Sequence, residues 1–94
     1  MGTLLVTFQT DNPDHEAALR DYLATFETMA LSPTSCALDT DIPPDALFRD
    51  IEGRLGPDDR VYVLSLGHDW IGYGYEATND WLHRHLGPGP ERCP

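Results

Sequence analysis

Arg60-Val61-Tyr62-Val63-Leu64-Ser65-Leu66 is the stretch on which the fold turns. It alternates β-branched, aromatic and aliphatic residues, follows Gly56-Pro57 at a short distance and runs into Gly67, so it reads as a strand. Upstream, Asp41-Ile42-Pro43-Pro44 sets up a helix in which Leu47, Phe48, Ile51 and Leu55 share a face, and Gly56-Pro57 ends it. Further back, Met29 to Thr40 is rich in Thr, Ser and small apolar residues, with Ser32-Pro33-Thr34 in the middle. That composition predicts a hairpin with arms near Thr28–Leu31 and Ser35–Asp39. Before it, Asn12 can cap a helix, Pro13 suits the first position, and Asp14 and Glu16 complement the positive helix end. Leu19, Tyr22, Leu23 and Phe26 then fall at i, i+3, i+4 and i+7, predicting a helix from Pro13 to about Phe26. Thr3 to Phe8 is uncharged, with apolar residues on both faces, and reads as a buried central strand.

The resulting order is β-α-β-β-α-β, the split βαβ arrangement of an α+β, ferredoxin-like domain, in which two helices cover one face of a four-stranded antiparallel sheet. The other face needs its own cover. Trp70, Ile71, Tyr73 and Tyr75 form an aromatic, glycine-rich segment, and Ala77, Trp81, Leu82 and His85 or Leu86 predict an added C-terminal helix. This element or a partner copy would lie on the bare face. A single domain over residues 1–86 is expected, with 87–94, five of them Gly or Pro, as a disordered tail.

Composition narrows the function. A chain of 94 residues supports one core. Its formal charge of −10, with every basic residue an Arg, argues against a lone nucleic-acid binder and against an anionic membrane surface. No apolar run approaches the ~20 residues of a membrane span, and the beginning lacks a signal-peptide pattern, so a cytoplasmic chain is expected. Cys36 and Cys93 are too few for a disulfide framework and read as free thiols. Charge is unevenly placed: Asp11 to Asp59 holds twelve acidic residues and three Arg, net −9, whereas Arg60 to Pro94 is net −1. A partner-steering acidic helical face and a nearly neutral, self-associating end follow from that division.

Few residues carry a chemical signal. Asp11, Asp14 and His15 cluster at the start of the first helix, where acidic side chains are expected for the helix dipole. His83 and His85 stand about 200° apart around a helix and read as solvated helix-end residues rather than a metal grip. His68, in the turn after the strongest strand, is a weak catalytic candidate with no nucleophile beside it in sequence. Gly72-Tyr73-Gly74 lacks the rest of a phosphate loop and instead presents its aromatic neighbours. The set Trp70, Tyr73, Tyr75 and Trp81 stands out as either core for the added helix or an interface, where Trp and Tyr are enriched.

Four segments resemble a known family. Leu4-Leu5-Val6-Thr7-Phe8, the hairpin Leu31-Ser32-Pro33-Thr34-Ser35-Cys36, Asp59 to Leu66, and Gly72-Tyr73-Gly74 leading to Asn79-Asp80-Trp81-Leu82 are similar to SinR-like small bacterial proteins. Those are relatives of the CRISPR adaptation endoribonucleases and of virulence-associated protein D. The resemblance implies a ferredoxin-like homodimer, made by packing sheet faces or pairing last strands. For the CRISPR and virulence relatives it also implies metal-dependent cleavage of nucleic acid, using an Asp after an aromatic residue at the end of the first strand. Here the aromatic residue is Phe8 and the matching position is Gln9, a neutral amide that brings no charge to hold a hard cation.

Three functions are therefore expected, in this order. The first is a non-catalytic, acidic homodimer that meets a basic protein partner, as an antitoxin, immunity or assembly component would, without cofactor. The second is a ribonuclease or deoxyribonuclease using Mg or Mn, with Asp11 replacing the missing Asp. The third is a small-molecule-binding module.

Overall fold

The computed structural model describes residues 2–67 and 70–87. Its elements run β1 (Gly2–Gln9), α1 (Pro13–Leu23), β2 (Glu27–Ser32), β3 (Ser35–Thr40), α2 (Pro44–Glu52), β4 (Arg60–Leu66) and α3 (Glu76–Leu86). The four strands form one antiparallel sheet in the order β2-β3-β1-β4. Because β1 and β3 are central, each helical connection carries the chain past a neighbouring strand, which places α1 and α2 against the sheet rather than at its edge.

Local chemistry sets the boundaries. The Asn12 side chain accepts from the Asp14 and His15 backbone N–H groups at 2.9 and 3.2 Å, and Pro13 follows it as the first helical residue. The helix closes at Leu23, three residues before the periodicity suggested. Thr25 Oγ1 donates to the Tyr22 carbonyl at 2.7 Å, and Thr25 and Phe26 make turn hydrogen bonds to Tyr22 and Leu23 instead of continuing the ladder. Phe26 still packs against the core, so the stripe was legible although its last member lies outside the helix. Pro33-Thr34 forms the turn of the β2–β3 hairpin, with Ser32 and Ser35 hydroxyls 2.7 Å apart across its base.

Side-chain alternation divides the sheet into two faces. On one, Leu4, Val6 and Phe8 of β1 join Cys36 and Leu38 of β3 beneath Leu19 and Leu23 of α1 and Leu47 and Ile51 of α2. On the other, Ala37 of β3 packs with Trp81, Leu82 and Leu86 of α3, flanked by Met29, Leu66 and Trp70. The added helix thus covers the second face, but only over its β2–β3 half. Tyr62 and Leu64 of β4 stay 64% and 47% exposed.

No helix among the described residues is long and apolar enough to cross a membrane. Cys36 is a buried free thiol, as expected, while Cys93 and the rest of the expected tail from residue 88 lie outside the described residues. Leu38 is fully buried between the helices and the sheet, so Leu38→Ala removes packing that cannot re-form. We expect a loss of about 2–5 kcal/mol, read as a lower urea midpoint at unchanged slope.

Candidate functional site

The end of β1, the start of α1 and the loop before β4 converge on Asp59. Its carboxylate accepts from the Gly56 backbone N–H at 2.8 Å and from the Thr10 hydroxyl, and it lies 2.7 Å from Nδ1 of His15. The Asp59 side chain is almost wholly buried, whereas that of His15 is about one-third exposed. Folding holds the Asp59 carboxyl below its ordinary value of 3.8; the Gly56 N–H is the largest cause, then the Thr10 hydroxyl, with His15 adding to both against the opposing effect of burial. A Cβ at position 56 would stand 2.9 Å from Cε1 of His15, so any larger residue there must displace the imidazole. Asp11, Pro13, Pro57 and Asp58 complete the rim of an open hollow around the imidazole.

With Nδ1 turned to Asp59, Nε2 of His15 is left as a positioned proton acceptor. The Thr10 hydroxyl, the nearest alcohol in this network, is spent on Asp59, and neither Ser nor Cys lines the hollow. The arrangement ties three chain segments together, the end of β1, the start of α1 and the loop before β4. Sequence reasoning weighed Asp11, Asp14 and His15 and missed Asp59. The two partners are 44 residues apart, and neither sits in a motif that points to the other.

The other expected residues fall into separate places. Gln9 is exposed at the end of β1, paired in register with Arg60. Asp11 is exposed just beyond the strand and shares with Gln9, Asp58 and Arg60 a second shallow hollow. Asp14 is exposed on the first turn of α1. His68 lies outside the described residues.

The aromatic set splits in two. Trp81, 3% exposed, is core. Trp70 is half-buried, with its indole N–H donating to the Gly87 carbonyl at 3.3 Å and its ring edge-on to His83. Tyr73 and Tyr75 are 97% and 85% exposed, and with Ile71 they add apolar surface beyond that of Tyr62 and Leu64.

His83 is exposed, as the sequence suggested, but His85 is not a solvated helix-end residue. It stacks on Trp81 with ring centroids 3.8 Å apart and lies between Glu27 and Asp39. The whole chain matches no known family model and no curated protein.

Two measurements check this geometry. Because folding lowers the proton affinity of Asp59, its ionised form stabilises the fold above the acid range, and that contribution is lost as pH falls through the folded-state value. Asp59→Asn should therefore melt below the wild type at about pH 7, with the gap narrowing toward about pH 3 in a series of thermal scans. At Cys36, burial pushes the thiol's pKa up, outweighing the lowering by Thr28 and Arg20. In a Cys93→Ser chain, a thiol reagent should label Cys36 only upon unfolding; rapid labelling of the native chain would contradict this burial.

Proposed function

We propose that this chain is a non-catalytic, acidic, cytoplasmic interaction protein of the ferredoxin-like, SinR-like kind, joined into a homodimer through β4 and meeting a basic partner with its acidic helical side. The strand order and the two helical crossovers support the ferredoxin-like reading. The observation that carries the dimer is the character of β4: an edge strand with Tyr62 and Leu64 exposed on one face and a single charged residue, Arg60, at its start.

A second copy is the occupant that fits this edge. Antiparallel pairing centred on Val63 sets Tyr62 against Leu64 of the second copy on one face, twice over, by two-fold symmetry. It also sets each Arg60 against the other copy's Leu66, keeping the two guanidinium groups apart. The opposite edge is less suited, since β2 carries an irregularity between Ala30 and Ser32 and begins with Glu27. The dimer would also join the nearly neutral parts of two acidic chains, leaving the acidic helices outward.

Light scattering behind a sizing column should give twice the 10.5 kDa chain mass. Leu64→Lys should return one chain mass with an unchanged far-ultraviolet spectrum, because its position is exposed in the single chain. A wild type that stays at one chain mass at high concentration would overturn the dimer.

One observation favours the nuclease alternative: Asp11 and Asp58 share the rim of the hollow beside Gln9. Two carboxylates there would serve Mg²⁺ or Mn²⁺. On that reading, metal-dependent cleavage of RNA or DNA disappears in Asp11→Ala, while the absence of cleavage by the wild type removes it.

A further inference from the structure

We propose that Glu27, Asp39 and His85 form a binding site for a divalent transition-metal ion of the zinc class, which fastens α3 to the hairpin edge of the sheet. The site begins with a repulsion. Glu27 and Asp39 are directly opposite in the β2–β3 register, and like charges at opposed positions destabilise a strand pair. The last turn of α3 lies over them, bringing the negative end of a helix dipole to the same place. Among the described residues no Arg pairs with either carboxylate; their partner is His85, with Nε2 3.0 Å from Glu27 Oε2 and Nδ1 3.3 Å from Asp39 Oδ2.

A neutral imidazole cannot satisfy both. It has one N–H and one lone pair, so one carboxylate receives a hydrogen bond and the other faces a lone pair. The His85 and Asp39 side chains are only 15% and 16% exposed, so solvent screens that contact weakly. A divalent cation that takes one ring nitrogen of His85 and one oxygen of each carboxylate cancels the charge of both. One ligand atom from each residue already lies within 4.8 Å of the other two. Tetrahedral bonds to nitrogen and oxygen of about 2.0–2.2 Å place neighbouring ligand atoms roughly 3.4 Å apart, so closure asks for a shift on the order of 1 Å. Glu27 can supply it, since its side chain is 57% exposed.

The donor set decides the class of ion. One imidazole and two carboxylates suit Zn²⁺ and its neighbours, whereas Mg²⁺ and Ca²⁺ prefer oxygen alone. The exposed Glu27 side leaves a fourth position for water. His85 is held for the task by stacking on buried Trp81, which also makes the indole a reporter of the site.

The test uses the full chain with Cys93→Ser, so that the terminal thiol does not compete. Titration with Zn²⁺, followed by calorimetry and by tryptophan fluorescence, should show one ion per chain and a raised melting temperature. Co²⁺ should bind at the same place and quench the fluorescence. His85→Ala and Asp39→Asn should each weaken Zn²⁺ binding by at least about tenfold. Glu27→Gln, an exposed substitution that leaves the fold intact, should weaken it as well and keeps the test valid if either of the others unfolds. Absence of Zn²⁺ binding, binding undiminished in Glu27→Gln, or an equal response to Mg²⁺ alone would overturn the proposal.

Discussion

The structure depends on β1 at the centre of the sheet. Leu4, Val6 and Phe8 point to α1 and α2, Thr3 is buried on the opposite face with Leu5 and Thr7 half-buried, and β3 and β4 saturate both backbone edges. An antiparallel sheet can leave its second face to water, but apolar residues on that face gain by being covered. Two helices suffice for one face, and the β-α-β-β-α-β order supplies them. The other face needs material from outside that order, which is what the chain after β4 provides.

That cover is partial. Ala37 of β3 is fully buried in one cluster with the Trp81 indole. With Met29 and Leu66 beside it, this cluster fixes α3 over the hairpin side. The β4 side keeps its apolar residues in solvent, so Tyr62 and Leu64 belong to a surface rather than a core. A chain that needed only to be stable would gain by centring the helix over the exposed leucine at about 25 cal/mol for each Å² removed from water. Leaving it uncovered is more consistent with a surface that is buried by association.

The elements themselves were legible because each announces itself locally. Asn12-Pro13, Pro43-Pro44 and the alternation from Arg60 to Leu66 need no knowledge of distant residues, and β4 begins and ends where the pattern places it. The expected stop of the second helix at Gly56-Pro57 was misplaced: α2 closes at Glu52 with Gly53 as its cap, and Leu55 packs on the core from outside the helix. The end of α1 was misplaced since the periodicity of Phe26 reports burial, and burial outlasts the helix by three residues. The polar sites were not legible. His15 meets Asp59 across 44 residues and His85 meets Glu27 across 58, and such meetings depend on strand register and helix placement, which periodicity does not encode. Treating His83 and His85 as equivalent failed for the same reason. An angular separation of about 200° guarantees that if one faces solvent the other faces the sheet, and the helix's own apolar residues, Trp81 and Leu82, identify which.

Core and charge are therefore joined in α3. Trp81 belongs to the apolar cluster with Ala37 and stacks on the His85 ring, so the indole is shared between the core and a polar cluster. The segment carrying Ile71, Tyr73 and Tyr75 runs directly into the N-terminus of this helix, with Trp70 fixed to Gly87 at the other end. The polar cluster at the hairpin edge and the exposed aromatic segment are therefore attached to opposite ends of the same helix.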